Sequence, residues 1–208
     1  MKLPYEHQPD ERVWLYRRSD DKKARYGLGN MKNNCKNLLV CISATPSYAA
    51  PCLLDPTVAI VDAVSKKCGH DGWVVFNLYP EQSPDWDKLS SKSAEYTAEN
   101  KKVISRVLAA LCEQQKGKIT VWVAWGAVVE ARPYLKDCLK DILALLEEKQ
   151  EQIAFKAVGV VDKNGVEHPR QPNPYRPKDA RKLTAFKVFG KGGYAEQVLK
   201  ESENTEVL

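Results

Sequence analysis

The stretch "NLLVCISATPSYAAPCLLDPTVAIVDAVSKKCGHDGWVVFNL", residues 37–78, decides the fold class of this chain. It opens with a continuous apolar run, Asn37–Ser43, and closes with a second, Gly72–Leu78, and each run has the length of a strand. Between the runs, Asp55 precedes a proline, apolar residues follow at three- and four-residue steps, and Gly69 ends the pattern. This combination is typical of a capped amphipathic helix. A strand, a crossover helix and a second strand predict a parallel pair.

The same alternation continues along the chain. Two more apolar runs of strand length follow, Ile119–Trp125 and Phe155–Val161. Apolar stripes at helical spacing separate the runs: Val103, Ile104, Val107, Leu108 and Leu111, then Leu135, Leu139, Ile142, Leu143 and Leu146. Strands that are apolar on both faces and alternate with helices predict a parallel sheet covered on two sides. We therefore expect an α/β fold: a three-layer α/β/α sandwich with a central, mostly parallel four-stranded sheet.

Both ends of the chain are interpreted as additions to this core. The segment "RVWLYRRSDDKKARYGLGN", residues 12–30, has two short apolar pieces around a polar turn, which predicts an N-terminal hairpin or edge strands. A length of 208 residues favours a single domain. We expect one α/β domain over 1–208, with the hairpin or edge addition in 1–36, the core in 37–175 and a basic C-terminal extension in 176–208.

The composition is that of an ordinary soluble globular protein, with 43% hydrophobic and 28% charged residues. The N-terminal residues lack the apolar core of a signal peptide, and no run approaches the roughly 18 apolar residues of a membrane span. We expect a cytoplasmic protein with no membrane partner. The six cysteines form none of the close pairs of zinc or thiol-exchange sites, so we expect them reduced and mostly buried, and predict neither a metal nor a cofactor. They are Cys35, Cys41, Cys52, Cys68, Cys112 and Cys138.

The charge is concentrated near the C-terminal end. The net charge of +5, from 32 basic and 27 acidic residues, is mild. Between His168 and Lys191, however, seven basic residues face Asp179 alone, a local balance of seven minus one, or +6. The seven are Arg170, Arg176, Lys178, Arg181, Lys182, Lys187 and Lys191. Such a 168–191 segment could meet the phosphates of a nucleotide or a nucleic acid, or could be a solvated basic surface. The oligomeric state stays open.

The strand ends predict where a site lies. In an open parallel sheet the ligand crevice lies beyond the carboxyl ends of the strands. Each of the four predicted strands is followed by a segment that combines polar or aromatic residues with Pro or Gly. The predicted catalytic residues are His168, Asp55 and Ser47. The predicted ligand-binding residues are Thr45, Pro46, Tyr48, Asn77, Tyr79, Trp125, Gly126 and Arg170.

Each of these residue types also has an ordinary structural use. Asp55 could be a catalytic base, but an Asp before Pro at a helix start is usually an N-cap. Asn77 could bind the edge of a base or an amide, or tie two loops together. His168 could be a ligand-binding imidazole on a rigid, proline-rich loop, or an ordinary loop histidine. Trp125 followed by Gly126 could present an aromatic face to a ligand, or be a core tryptophan beside a turn glycine.

Several known site patterns are absent from the sequence. No GxGxxG or GxxxxGK[ST] stretch follows a strand, and no GxSxG elbow occurs. A hydrolase triad of Ser47, Asp55 and His168 can be drawn, but a polar loop set of this size nearly always permits one. Two alternatives therefore remain: a non-catalytic interaction protein on an α/β scaffold, and a small-molecule hydrolase.

Six short motifs carry a resemblance to a family of mostly bacterial and phage proteins, domain of unknown function 1643. They are "RYGLG", "SATPSYA", "DPTV", "NLYP", "AWG" and "HPRQPNPY", in this order over roughly residues 25–175. The family usually has an Asn immediately before the Pro-Ser of the first loop. This chain has Thr45 at that position, so it departs from the family pattern there.

The order of the strand exits is also similar to that of the uracil-DNA glycosylase superfamily. In those enzymes the first loop positions an attacking water, an Asn after the second strand reads the base, and a His stabilises charge on the departing base. The resemblance implies that residues 45–47 form the first loop, Asn77 reads the base and His168 is the electrostatic partner, with Tyr48 or Tyr79 as an aromatic wall. It implies an uncharacterised protein that binds or processes a nucleobase-containing ligand, with glycosylase-like excision as an extension.

Overall fold

The computed structural model of the protein describes residues 12–82, 93–114, 117–172 and 182–203. The strands are β1 (Arg12–Arg18), β2 (Arg25–Lys32), β3 (Leu38–Ser43), β4 (Gly72–Asn77), β5 (Ile119–Ala124), β6 (Ile153–Ala157), β7 (Val160–Lys163), β8 (Val166–Pro169) and β9 (Thr184–Ala185). The α-helices are α1 (Pro56–Lys67), α2 (Ala94–Gln114), α3 (Pro133–Glu147) and α4 (Tyr194–Glu203), with short 3-10 helices over Ala127–Ala131 and Gln150–Gln152.

The main sheet confirms the α/β class and corrects the strand count. It has seven strands in the order β1-β2-β4-β3-β5-β6-β9, rather than four. The four strands predicted from the apolar runs form its parallel centre, β4-β3-β5-β6. The sheet is larger because the N-terminal hairpin β1-β2 pairs antiparallel with β4, and β9 adds antiparallel to β6.

The carboxyl ends of the parallel strands meet at one edge of the sheet. Ser43, the last residue of β3, pairs with Asn77 on β4 and with Ala124 on β5. Because β2 runs antiparallel to β4, its first residue, Arg25, also lies at this edge, where its main-chain N–H donates to the carbonyl of Pro80 at 2.8 Å. We call this edge the carboxyl edge.

Alternate residues of the strands belong to two different hydrophobic clusters. Leu39 and Cys41 of β3 share one cluster with the apolar stripe of α1. Val40 and Ile42 belong to the other, which contains residues of α2, α3 and α4. Both faces of β3 are therefore covered with apolar side chains, which is why its sequence is a continuous apolar run instead of an alternating one.

The direction of the crossovers reverses beside β3. From β3 the chain passes through α1 to β4 on one side, and from β4 it passes through α2 to β5 on the other side. The point of reversal lies between β3 and β5, where the loops after these strands lead to helices of different clusters. Ligands of open α/β sheets bind at such a point, because the two loops diverge and leave a crevice.

The helix predicted within residues 37–78 is present as α1. Its first turn is closed by Asp55, whose carboxylate accepts the main-chain N–H of Val58 at 2.9 Å, and Pro56 occupies the first helical turn. Gly69, just beyond the end, has a φ of 75°, which a residue without Cβ adopts at low cost. The apolar stripes predicted within α2 and α3 likewise lie inside helices, and all five stripe positions of α3 are buried.

The fourth apolar run is not one strand, and this prediction was wrong. β6 ends at Ala157 and β7 begins at Val160, because Gly159 with a φ of 71° turns the chain between them. β7 then pairs antiparallel with β8 across Asn164 and Gly165, which have φ values of 57° and 80°. Asn-Gly with both φ values positive is the usual two-residue hairpin turn. His168 consequently lies in strand β8 and not in a loop.

The C-terminal region contributes a helix that the sequence patterns did not indicate. Tyr194 and Val198 of α4 are buried in the larger hydrophobic cluster. Arg176, Lys178 and Arg181 of the predicted basic segment lie outside the described residues. None of the described helices is long and apolar enough to cross a membrane.

The cysteines correct another expectation. Of the six, Cys41 and Cys138 alone are buried, Cys35 and Cys112 are half-buried, and the remaining two, Cys52 and Cys68, are exposed. The prediction that the cysteines are mostly buried was therefore wrong, since Cys52 lies in the first loop and Cys68 at the end of α1, both outside the core.

Candidate functional site

Asn77 ends β4 at the carboxyl edge with an unsatisfied side chain. The residue is 1% exposed, and neither Oδ1 nor Nδ2 has a hydrogen-bond partner within the described part of the chain. A buried polar group without a partner costs roughly 1–3 kcal/mol, and native proteins rarely keep one without a ligand, ion or water to satisfy it. The Asn77 carboxamide is therefore the strongest indication of a binding site in the molecule.

The neighbours of Asn77 across the sheet are small. Its side chain continues the face of Val75, which packs in the α1 cluster, because side chains two apart on a strand share a face. Ser43 and Ala124 occupy the same row on β3 and β5. The crossovers reverse between β3 and β5, the two strands that carry Ser43 and Ala124 of this row. The carboxamide of Asn77, on the adjacent strand β4, therefore lies next to the crevice predicted at that point.

Asn100 on α2 holds the main chain that carries Asn77. Its Nδ2 donates to the carbonyl oxygens of Asn77 at 2.8 Å and Leu78 at 3.3 Å, while its Oδ1 has no partner among the described residues. Sequence reasoning missed Asn100. A signal existed, because Asn100 precedes Ile104 by four residues and Leu108 by eight, which places an amide on the apolar stripe of the helix.

The first loop, residues 44–55, is held by side chains from two other segments. Arg25 Nη1 donates to the carbonyls of Ser47 at 3.1 Å and Ala49 at 2.8 Å. Gln82 Nε2 donates to the same Ser47 carbonyl at 2.8 Å. The Ser47 hydroxyl itself is buried, and no described residue bonds to it. The main chain of the loop is thus fixed while one of its side-chain donors is left unused.

The other predicted residues of the first loop differ in exposure. Thr45 and Pro46 are half-buried, whereas the side chain of Tyr48 is 66% exposed. Tyr48 is one of two large apolar side chains that the described structure leaves exposed, the other being Leu53 of the same loop. An exposed aromatic ring beside the crevice provides a surface on which a flat ligand could stack.

Arg25 was not among the residues predicted for the site. It is 1% exposed, and its burial lowers the pKa of the guanidinium to about 10, an effect that the negative charge of Asp55 opposes. Its Nε is buried without a partner among the described residues. The signal for Arg25 was its place at the start of the "RYGLG" motif, since a charged residue that begins a buried strand needs a partner.

Asp55 has the capping geometry that was one of its two interpretations. One carboxylate oxygen accepts the N–H of Val58 at 2.9 Å, and the other accepts the N–H of Ala49 at 3.1 Å. The residue therefore joins the first loop to the start of α1. A role as a catalytic base would use oxygens that are already engaged by main-chain donors.

The side chain of Tyr79 lies in the larger cluster, although its main-chain N–H donates to the carbonyl of Ala44 in the first loop at 3.1 Å. Its ring packs edge-on against Tyr134 with centroids 5.3 Å apart. Its hydroxyl donates to Glu81 at 2.6 Å and accepts the N–H of Ser93 at 3.0 Å. Burial and the hydrogen bond to Glu81 raise the pKa of the hydroxyl. Tyr79 thus anchors the start of α2, and its ring is already occupied by protein contacts.

The third and fourth strand exits are bound to each other. The N–H of Gly126 donates to the carbonyl of Pro169 at 2.8 Å, and Gln171 Nε2 donates to the carbonyl of Trp125 at 2.9 Å. Gly126 has a φ of 74°, and a Cβ there would lie 2.8 Å from the Gln171 side chain. Trp125 is fully buried against Tyr194, and its Nε1 finds no partner in the described ranges.

His168 is buried in a polar cluster that includes α4. Its Nδ1 lies 3.0 Å from the hydroxyl of Tyr194, and its Nε2 lies 3.7 Å from Oε1 of Glu130. The other Glu130 oxygen is 3.4 Å from Nζ of Lys136. Sequence reasoning identified His168 but missed its neighbours, because Glu130 and Tyr194 are 38 and 26 residues away along the chain.

The described part of the basic segment is used partly for internal contacts. Arg170 is half-buried; its main-chain N–H donates to Gly159 and its Nε to the carbonyl of Val160. Lys187 Nζ donates to the carbonyl of Lys191. A phosphate-binding role for residues 168–191 stays a prediction.

The structure therefore separates the predicted site residues into two groups at the carboxyl edge. Ser47 and Asn77 belong with Arg25 around the first two exits, while Trp125 and His168 belong to the last two. Ser47 Oγ makes no hydrogen bond to His168, so the drawn hydrolase triad is not connected. In the ranges that the structure describes, no cluster of three or more His, Cys, Asp or Glu residues could hold a metal ion.

Comparison with known proteins gives one family. The family model described as "Protein of unknown function (DUF1643)" matches residues 25–172. No curated protein and no solved structure matches the chain significantly. The matched range begins at Arg25 and extends beyond β8, so it contains most residues of both groups.

Proposed function

The chain belongs to the family of domain of unknown function 1643, and on that premise we propose that it binds a nucleobase-containing ligand, a nucleotide or a nucleic acid, at the carboxyl edge. The frame of this proposal is the three-layer α/β/α sandwich expected from the sequence. The observation that carries the proposal is the buried carboxamide of Asn77, which has no hydrogen-bond partner among the described residues.

A carboxamide suits the edge of a base. It presents one acceptor and one donor group side by side, and base edges present the complementary pair, so two parallel hydrogen bonds can form. Both of these groups are unused in Asn77, and the Oδ1 of Asn100 adds a further unpaired acceptor within the described residues. A ligand with a single donor or a single acceptor would leave part of this set unsatisfied.

The surroundings of Asn77 support a flat ligand. Ser43 and Ala124 are the small residues of its row, and the reversal of the crossovers lies beside them. Tyr48 is exposed in the adjoining loop, so its ring is free to stack on a base. Tyr48 is therefore a better aromatic wall than Tyr79, whose ring packs against Tyr134.

Base excision is an extension of the proposal, for which His168 would stabilise charge on the departing base. His168 is buried, and its Nδ1 is already paired with Tyr194. An attacking water would also need an acceptor to orient it, and both oxygens of Asp55 accept main-chain N–H groups. These contacts favour binding over excision as the primary activity.

The test is calorimetric titration of the protein with nucleosides of the four bases and uracil. We expect one base class to bind, and Asn77→Ala to weaken it by at least about tenfold, since losing two hydrogen bonds costs 1.4 kcal/mol or more. Asn34→Ala, an exposed turn residue, is the matched control and should bind normally. Absence of binding to every base, or unchanged binding by Asn77→Ala, would refute the proposal.

Two further measurements distinguish a nucleic-acid ligand from a nucleotide, and binding from base excision. Binding to an oligonucleotide should weaken steeply with salt if the ligand is a nucleic acid, because counterions are released from its phosphates. Incubation with uracil-containing single- and double-stranded DNA reveals excision as abasic sites. Binding without abasic sites, or release that is unaffected by His168→Ala, removes the glycosylase-like extension and leaves a binding protein.

A further inference from the structure

We infer that Arg25 and Ser47 form an oxyanion subsite of the same crevice, which holds a phosphate or carboxylate group of the ligand. The identity of the ligand as a nucleotide rests on the proposed function. The subsite itself rests on the contacts of these two residues, neither of which is needed to read a base.

Two of the five N–H groups of Arg25 are directed at protein carbonyls. Nη1 is used by the carbonyls of Ser47 and Ala49. Nε is buried, and no described residue accepts from it. In a guanidinium, Nε and the second Nη lie on one edge and point their N–H groups in parallel, which is the fork that binds two oxygens of a carboxylate or phosphate. The edge that remains in Arg25 is this fork.

The charge around Arg25 is incompletely balanced. The guanidinium is 1% exposed, and no described carboxylate forms an ion pair with it. Besides burial, Asp55, Tyr16 and Arg18 influence it in that order, and Asp55 is negative whereas Arg18 is positive. Both Asp55 oxygens already accept main-chain N–H groups. Arg25 and Arg18 contribute two positive charges and Asp55 one negative charge, so the surroundings of the guanidinium are net positive. A buried positive charge is stabilised when an anion pairs with it.

Ser47 supplies a second donor beside the fork. Its carbonyl accepts Arg25 Nη1 at 3.1 Å, so the residue is in direct contact with the guanidinium. Its hydroxyl is buried and finds no partner in the described structure. A serine hydroxyl can donate to an oxyanion. In this arrangement Ser47 is a binding residue, and its hydroxyl needs no general base.

The experiment compares a nucleoside with its monophosphate on the same protein by calorimetry. We expect wild type to bind the monophosphate at least about tenfold more tightly, the worth of one charge-assisted interaction. Arg25→Lys should reduce that advantage to less than about threefold, because an ammonium cannot form the fork, and the ratio of the two affinities within the variant is the readout. Arg17→Lys, on β1 at the end of the sheet and with its side chain 51% exposed, is the control and should keep the full advantage.

The ratio of monophosphate to nucleoside affinity within one variant separates loss of the subsite from loosening of the first loop. A loosened first loop would weaken both ligands equally, whereas loss of the subsite weakens the monophosphate alone. If Arg25→Lys fails to fold, Ser47→Ala provides the same test, with an expected loss of about threefold in the ratio. Equal binding of nucleoside and monophosphate by wild type, or a full advantage kept by Arg25→Lys and Ser47→Ala, would overturn the inference and leave the proposed function standing.

A second arm uses inorganic phosphate and acetate as probes of Tm. We expect phosphate to raise the Tm of wild type and of Arg17→Lys, but not of Arg25→Lys. An equal response to acetate would show that the subsite takes either oxyanion, and a response to acetate alone would identify a carboxylate as the group bound. If no nucleoside binds and phosphate still stabilises wild type through Arg25, the proposed function fails and the subsite remains. If phosphate and acetate also leave Tm unchanged, both fail.

Discussion

Two regions at the same edge of the sheet differ in how their strand exits are held. In the open region, formed by Arg25, Ser47 and Asn77, four buried polar atoms have no partner among the described residues. In the tied region, formed by residues 124–126 and 168–171, main-chain and side-chain hydrogen bonds join one strand exit to the next, although Trp125 Nε1 also has no partner in the described ranges. Since unpaired buried groups cost stability, the open region is the better candidate for a ligand, whereas the hydrogen bonds of the tied region serve the fold.

The largest expected effect is on the tied region. His168→Ala removes a fully buried ring and its hydrogen bond to Tyr194, so we expect the free energy of unfolding to fall by about 3 kcal/mol. His70→Ala removes a ring from an exposed hydrogen bond with Asn37 and should cost less than about 1 kcal/mol. Urea denaturation measures both. Equal losses of unfolding free energy would show that buried His168 stabilises the fold no more than His70 does.

The next effect has the opposite sign and concerns the open region. Asn77→Leu keeps the approximate volume of the side chain and removes two unpaired buried groups, so we expect the free energy of unfolding to rise by about 1–2 kcal/mol. Binding of the nucleobase should be lost in the same variant. A clear destabilisation in the absence of ligand would mean that the Asn77 amide serves the fold.

An effect of similar size and the usual sign tests the joint between the third and fourth exits. Gly126→Ala places a Cβ 2.8 Å from Gln171 at a positive φ, and we expect a loss of about 2 kcal/mol. Gly69→Ala has nearly the same φ, with no atom within 4 Å of the new Cβ, and should lose about 1 kcal/mol. The difference between the two Tm shifts isolates the contact with Gln171. If the two Tm shifts are the same, the Gln171 side chain moves away from the added Cβ at little cost in stability.

The smallest effect concerns Tyr79, which follows Asn77 by two residues and whose hydroxyl is hydrogen-bonded to Glu81 and Ser93. Its pKa is raised in the folded protein by burial and by the bond to Glu81, so above pH 10 the unfolded chain loses this proton first. The folded state then binds more protons, and its stability falls as pH rises. We expect the loss of stability above pH 10 to be shallower in Tyr79→Phe. Parallel pH profiles for wild type and variant would contradict the assigned environment.

Local signals in the sequence were sufficient for the parallel centre of the sheet. The helix α1 could be predicted because its cap, its stripe and its terminal glycine lie within fifteen residues, and each acts on its immediate neighbours. The rule that sites lie at carboxyl ends then led to Asn77 and Ser47. The turn at Asn164 and Gly165 could also have been predicted from the sequence. Because it was overlooked, His168 was predicted to lie in a loop.

The partners of Arg25 and Asn100 could not be read in this way. Arg25 contacts Ser47 and Ala49 across 22 and 24 residues, and Asn100 contacts Asn77 across 23. No periodic pattern reports such a contact, because it exists only after the sheet has brought the segments together. The same holds for the contact of His168 with Tyr194.

The sequence by itself determined which segments are apolar on both faces, where α1 begins and ends, and which residues follow the first three parallel strands. These properties follow from backbone geometry and burial, which act over a few residues. The tertiary structure alone decided that the hairpin and β9 extend the sheet to seven strands, that Asn77 and Arg25 keep buried polar atoms without a partner among the described residues, and that His168 is buried. Hydrogen-bond satisfaction depends on every neighbour in space, and that inventory is complete only in the folded chain.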